Sequence, residues 1–267
     1  MAKSDTNKKK VSDTKEITTK RKQDMKSHPQ ERKKKVGFLT IGQSPREDVI
    51  PEIMPLLGGA VTVVEAGALD ELSSGEITAL SRKKANEVLI TRLRNGQSVT
   101  LPRPSLLALL QEKIDQLERA GVSALGLLCT DDFPELSSRV PLLQPCRLMA
   151  AFLSGLPPET SVLVVIPLAE QKDLALKKWA RIRQLGKKEK LALQSPEEDR
   201  LQISLLNPYH LPPALPSSLI EEGRRSSLIV LDCIGYPLSL KKQLSQSTGR
   251  PVLLPRSLLA RSILELI

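Results

Sequence analysis

The chain has 267 residues, enough for two compact domains with cores of their own, and its three cysteines show no CxxC spacing. That pattern argues against a disulfide framework or a structural zinc site, and two histidines argue against a His-based metal centre or a Ser-His-Asp triad. No apolar run approaches the roughly 20 residues that span a bilayer, and the N-terminus lacks the apolar segment of a secretory signal. A cytoplasmic protein with no membrane partner is expected.

The net charge of +10 is unevenly spread. Residues 1–35 hold 13 Lys/Arg against 5 Asp/Glu, whereas the remainder holds 27 against 25. Lys8-Lys9-Lys10, Lys20-Arg21-Lys22 and Lys33-Lys34-Lys35 punctuate a segment almost without apolar residues. Such a segment cannot bury enough surface to offset its ordering entropy, so residues 1–35 read as a disordered basic tail. It is either a solvated extension or an arm for a polyanion, and nucleic acid enters only as a weak partner of that tail. His28 lies within it.

Val36–Ile41 reads as a strand, followed by Gly42-Gln43-Ser44-Pro45-Arg46. Ser44 is placed to cap a helix opening at Pro45, with Glu47 and Asp48 in its first turn. The free N–H groups of such a start favour an anion, and Arg46 offers a fork-shaped donor for a carboxylate. The plainer reading is that Gly42 and Ser44 turn and cap the chain while Arg46 faces solvent. Gly58-Gly59 ends the helix near Leu57, a strand follows at Val61–Glu65, and Ala66–Asp70 forms a loop. Ser73 or Ser74 caps a short helix to about Leu80. Asn95-Gly96 between Glu87–Leu93 and Gln97–Leu101 signals a hairpin with one extra loop residue.

Pro104 to Ala120 carries Leu106, Leu109, Leu110, Ile114 and Leu117 at helical spacing. Gly121 ends that helix and feeds the run Leu125–Leu128, which reads as a buried parallel strand ending at Cys129-Thr130. The long loop through Asp131-Asp132-Phe133-Pro134 follows a strand end, where loops tend to carry function. Cys146, beside Pro145 at the start of a helix ending near Gly155, reads as structural.

Leu156-Pro157-Pro158 marks a boundary between domains at 36–155 and 156–267. The second half opens on the strand Ser161–Ile166, continues with a helix through Trp179, and has an exposed connection at Lys187-Lys188-Glu189-Lys190. Leu201–Leu206 is a strand leading to His210, a loop residue with no partner to orient it as a base. A helix near Leu215–Arg224 precedes the run Leu228–Leu231 and its Asp232-Cys233. Pro251–Leu254 is the last strand, and Arg256-Ser257 open the final helix.

The halves therefore share an order: strand, helix, intermediate elements, helix, then a strand ending in Cys. Ile41 to Cys129 spans 88 residues and Ile166 to Cys233 spans 67, a difference that the hairpin and a short helix account for. Two similar α/β domains are expected to face each other across a cleft, with one thiol on each wall. A thiolate on one face of a substrate carbon and a thiol on the other suit proton transfer at a carbon acid. Free thiols near 8.5 need activation, and the enediolate needs donors. Ser44, Thr130, Arg46 and the N–H groups of the turn are the candidates. Strand alternation points the Asp232 side chain away from its neighbour Cys233.

Thr40–Arg46, Glu65–Asp70, Leu231-Asp232-Cys233-Ile234-Gly235-Tyr236 and Pro251–Ser257 resemble the AroM protein family, from Val36 to Ile267. That family is in turn similar to the aspartate/glutamate racemase superfamily. The resemblance implies two pseudo-symmetric, three-layer parallel-sheet domains of Rossmann-like, flavodoxin-like type with an interdomain cleft. It also implies a cofactor-independent reaction through a cysteine pair, here Cys129 and Cys233. Gly42, Gln43, Ser44, Arg46, Thr130, Gly235 and Tyr236 form the implied substrate-binding set, and no metal is implied. Ile234 stands where those racemases carry Thr. The AroM family supplies no activity of its own, so three classes remain. They are a racemase, isomerase or decarboxylase of a small carboxylate; an anion-binding or regulatory protein linked to aromatic amino-acid metabolism; and a nucleic-acid accessory acting through the tail. A homo-oligomer is compatible with each.

Overall fold

Buried apolar strands set the frame. In the computed structural model, which describes residues 33–184 and 200–267, β1 (Lys34–Thr40) lies between β2 (Val61–Gly67) and β5 (Ala124–Leu128). The short β6 (Leu142–Leu143) adds beside β5, and every pairing is parallel. All five residues of β5 are buried, the mark of a strand covered on both faces. Residues 1–32, including His28, and the Lys187–Lys190 connection lie outside the described residues. Lys34 and Lys35, grouped with the tail on sequence, instead pair in β1 with Val61 and Thr62. The Lys35 ammonium donates to the Ala120 carbonyl at 3.0 Å.

The second sheet contains β7 (Val162–Ile166), β8 (Leu201–Leu205), β9 (Leu228–Leu231) and β10 (Val252–Leu253). Its order is β10-β9-β7-β8, again parallel. In both sheets the first strand in sequence sits between the second and third, and the fourth lies outside the third. Between β2 and β5 the first half adds an antiparallel hairpin, β3 (Val88–Arg92) with β4 (Ser98–Pro102). Gly96 takes a positive φ of 85° in its loop, which glycine adopts without steric cost.

Eight helices complete the described residues: α1 (Ile50–Leu57), α2 (Ser74–Ser81), α3 (Leu107–Arg119), α4 (Pro145–Ser154), α5 (Lys172–Gln184), α6 (Ser217–Arg225), α7 (Leu238–Thr248) and α8 (Pro255–Leu264). Ser73 and Glu76 form a reciprocal capping box on α2. The α3 helix starts later than its periodicity suggests, because Arg103–Leu106 winds as a 3₁₀ turn.

One expectation is overturned. Ser44 does not cap a helix, and α1 begins five residues beyond Pro45, at Ile50. The Asp70 carboxylate takes both the Ser44 N–H (2.7 Å) and its hydroxyl (2.6 Å), and Glu65 takes the Arg46 N–H (2.7 Å). Carboxylates distant in sequence thus occupy the donors that would have opened the helix.

The two sheets exchange their last helices. After β6, α4 turns Met149 and Leu153 into the core of the second sheet with Val162, Val164 and Trp179. After β10, α8 turns Leu259, Ala260 and Ile263 into the first core with Val36, Phe38 and Ile53. Both crossings use a two-residue strand, one connecting residue and a proline at the first helical position. Gly126 of β5 permits the approach of α8: a Cβ there would stand 3.0 Å from both Ile263 Cδ1 and Phe38 Cε1.

Candidate functional site

A cleft of about 490 Å³ opens beyond the carboxyl ends of β5, β7 and β9, the place where open α/β sheets form sites. Cys129, Thr130 and Asp131 follow β5 into it, Pro167 follows β7, and Asp232, Cys233 and Ile234 follow β9. The hairpin strand β3 forms one wall and α5 another. Both cysteines expected at strand ends therefore line one cavity.

The two thiols differ in their surroundings. Cys129 is 7% exposed, and its Sγ accepts the Asp131 N–H at 3.5 Å. Burial and the nearby Asp131 carboxylate push this thiol far above its ordinary value. Cys233 is 6% exposed; burial pushes it up to about 11, with the Gly235 N–H and the Arg46 guanidinium acting the other way. Cys146 is buried in the first turn of α4, off the cleft, and burial raises it to about 11.

Between the cysteines the two halves are stitched together. The Thr130 hydroxyl donates to the Asp232 carbonyl at 3.1 Å. Asp232 Oδ2 accepts the Trp179 indole N–H at 2.6 Å and pairs with the Lys178 ammonium at 2.5 Å. Lys178 also reaches the Thr130 carbonyl at 3.4 Å. Burial disfavours the Lys178 charge, but Asp232 together with the nearby Cys146 and Asp131 more than offsets it, and the pKa rises. The second oxygen, Asp232 Oδ1, is buried with no hydrogen-bond partner among the described residues. Asp232 and Cys233 both line the cleft, and strand alternation holds between them. Asp232 turns to Trp179, on the side of Leu228 and Val230, while Cys233 packs with Ile229 and Leu231 on the other side. Asp232 is one residue past β9, and its N–H still donates to the Val165 carbonyl of β7 at 2.8 Å.

Arg46 also lines the cleft, but it is 2% exposed rather than solvated. Its Nε and Nη2 fork onto the Asp48 carboxylate at 2.7 and 2.8 Å, and Nη1 donates to Thr40 Oγ1 at 2.9 Å. Arg46 Nη2 approaches the Tyr209 hydroxyl at 3.4 Å. Burial works against the guanidinium charge, but Asp48 together with Tyr209 and Cys233 more than offsets it, so its pKa rises. The fork expected to hold a ligand carboxylate thus holds one from the protein.

Of the other expected binding residues Thr130 lines the cleft, whereas Gly42, Gln43, Ser44, Gly235 and Tyr236 lie off its surface. Ser44 is engaged by Asp70, and the Gln43 side chain joins the Leu69 carbonyl to the Arg94 N–H. The Gly42 N–H donates to Thr40 Oγ1 at 3.2 Å. The Tyr236 hydroxyl, wholly buried, donates to the Leu206 carbonyl at 2.5 Å. Gly235 makes room for Tyr209, whose Cζ would lie 3.0 Å from a Cβ at that position.

Several cleft residues carried no sequence signal of their own. Lys178 sits in a lysine pair on a helix, with nothing local to say which lysine faces inward. Arg103 donates to Asp131 at 2.8 Å and to Glu135 at 2.9 Å, and stacks 4.9 Å over the Phe133 ring. Gln171 crosses from the second half to the Val88 carbonyl of the hairpin at 2.9 Å. Among the described residues no group of three His, Cys, Asp or Glu side chains could hold a metal ion, and no helix is long and apolar enough to cross a membrane.

No curated protein matches the sequence. The family model described as AroM protein matches residues 36–267. Among solved structures, the Picrophilus torridus aspartate racemase is similar at a TM-score of 0.50 and 12% identity, covering 87% of this chain and 93% of that one. The glutamate racemase from Aquifex pyrophilus gives a TM-score of 0.50 at 15% identity, covering 87% and 84%. At such identities the likeness is one of fold.

Proposed function

We propose, from the premise that this chain belongs to the AroM protein family, that it is a cofactor-independent carbon-acid enzyme acting on a small carboxylate. Racemisation, isomerisation and decarboxylation are the reactions that this chemistry serves. The observation that carries the reading is the shared placement of Cys129 and Cys233. Each follows the third strand of a sheet of the same order, and both line one cleft.

In the proposed reaction one thiolate removes the proton from the carbon next to the carboxylate. The electron pair moves into an enediolate, and the opposite thiol returns a proton to that carbon. In decarboxylation the electron pair comes instead from the broken carbon–carboxylate bond, and a thiol supplies the proton. Lys178 is the cation proposed for the developing charge. It lines the cleft, and its ammonium keeps a third N–H beyond those directed at Asp232 and the Thr130 carbonyl, whereas the Arg46 fork is taken up by Asp48 and Thr40. Preorganised donors of this kind supply a large share of such catalysis.

A second reading, a non-catalytic anion-binding or regulatory protein, is favoured by the raised thiols. Burial raises Cys233 to about 11 and Cys129 higher still, which disfavours the thiolate at neutral pH. Incubation in deuterated buffer with amino, hydroxy and dicarboxylic acids separates the two. Exchange at the carbon next to the carboxylate, lost in Cys129→Ala and Cys233→Ala, supports the enzyme. Tight binding of an acid with no exchange across the panel supports the second reading.

A further inference from the structure

The hairpin and α2 stand between β2 and β5 with no counterpart between β8 and β9, which α6 alone separates. Strand alternation gives the hairpin two faces. Leu89 and Thr91, with their partners Leu101 and Val99, lie on one face, and Leu89, Leu101 and Val99 pack with Leu39, Leu106 and Leu127 in a core separate from the one that holds α8. Val88 and Ile90 lie on the other face, belong to none of the apolar cores and are only half-buried; the strand from Val88 to Thr91 as a whole lines the cleft. Pro134, Pro167 and Leu174 line the same space, and Leu174 is 40% exposed.

This wall is fastened on both sides. Gln171 of the second half holds the Val88 carbonyl at 2.9 Å, and the Arg103 N–H holds the Glu87 carbonyl at 3.0 Å. At the hairpin tip, Arg94 Nε donates to the Ser44 carbonyl at 2.7 Å. An apolar surface is thus held against a cleft that Lys178, its ammonium paired with Asp232, also lines. The volume of about 490 Å³ lies within the range of pockets that enclose whole drug-sized ligands. It is more than an acid of three or four carbons would fill.

We infer that the hairpin is a specificity wall, and that the ligand is a monocarboxylate carrying a bulky apolar substituent, seated on Val88 and Ile90 with its carboxylate toward Lys178. This rests on the reading of the cleft as a carboxylate site, but not on any chemistry occurring there. A second carboxylate in place of the apolar group would face Val88 and Ile90 and lose its hydration without a partner. Apolar contact of this kind changes affinity by about tenfold or more.

Calorimetric titration of the full chain with glycolate, mandelate and malate tests the inference. These acids share a 2-hydroxy-acid head and differ by hydrogen, phenyl or a carboxymethyl group. Mandelate is expected to bind at least about tenfold more tightly than glycolate and more tightly than malate. In the variant carrying Val88→Ser and Ile90→Ser that advantage over glycolate is expected to disappear, with Ile90→Thr alone as the milder second variant and Trp179 emission as the check on folding. Malate binding more tightly than mandelate overturns the inference, as does an advantage that survives in the folded variants. Binding of none of the three overturns it together with the carboxylate reading. Mandelate bound without deuterium exchange supports the inference and counts only against the carbon-acid chemistry.

Discussion

The Thr130 hydroxyl donates to the main-chain carbonyl of Asp232 at 3.1 Å, across 102 residues of sequence. It ties the end of β5 to the end of β9, and each partner is the immediate neighbour of a cleft cysteine. Thr130→Val keeps the shape and removes the donor, leaving a buried carbonyl unsatisfied. A loss of about 1–3 kcal/mol in stability is expected by urea denaturation. An unchanged midpoint would mean that the two strand ends are held by other contacts.

Arg256 is wholly buried and joins three elements. Its Nε and Nη2 donate to the Ile234 carbonyl at 3.1 and 2.7 Å, and Nη1 reaches Glu52 at 2.6 Å and the Asp48 carbonyl at 2.9 Å. Arg256→Ala takes the donors from two carbonyls and leaves the Glu52 carboxylate with the Leu238 N–H and solvent, and is expected to cost about 3 kcal/mol. Arg256→Lys should recover little of it, since an ammonium cannot reproduce the fork. Full recovery by Lys in a thermal melt would reduce the role of Arg256 to charge.

Burial raises the Glu65 carboxyl above its ordinary 4.5, with the Arg46 N–H and guanidinium opposing. In the unfolded chain Glu65 ionises first, so its contribution to stability is complete below about pH 4.5 and is lost as pH rises through the higher folded value. Glu65→Gln keeps an acceptor for the Arg46 N–H and removes the titration. The variant is expected to lose part of the decline in stability above pH 4.5, by a fraction of a kcal/mol because solvent reaches the half-exposed carboxylate. Parallel pH profiles for the two proteins would contradict this.

Alkylation with iodoacetamide should report the asymmetry of the thiols. Cys233, raised to about 11, is expected to react before Cys129, whose burial and Asp131 neighbour hold it higher. Between pH 8 and 10 the rate at Cys233 should climb about tenfold per pH unit, following its thiolate fraction. Peptide mass spectrometry reads both sites, and faster labelling of Cys129 would reverse the assignment.

Lys178→Met leaves Asp232 with the Trp179 indole alone and removes the cation 5.2 Å from the indole ring. Trp179 is the sole tryptophan of the chain, so its emission reports the change directly. Mandelate affinity is expected to fall about tenfold or more with loss of the charge-assisted contact. Unchanged affinity would move the carboxylate elsewhere in the cleft.

Local patterns wrote the elements into the sequence. Apolar runs marked β1, β5, β7 and β9, Ser73 and Glu76 marked the start of α2, and Asn95-Gly96 marked the hairpin; both cleft cysteines were visible as residues just past buried strands. These signals are legible because hydrophobic period and turn chemistry act within a few residues. Only the tertiary structure decided who partners whom. It gave the Ser44 donors to Asp70, the Arg46 fork to Asp48, and the Asp232 carboxylate to Lys178 and Trp179. It also sent α4 and α8 each to the other's sheet. A hydrogen-bond donor or an apolar helix face carries no address in the sequence, and its partner is set by whichever complementary group the packed chain brings within reach.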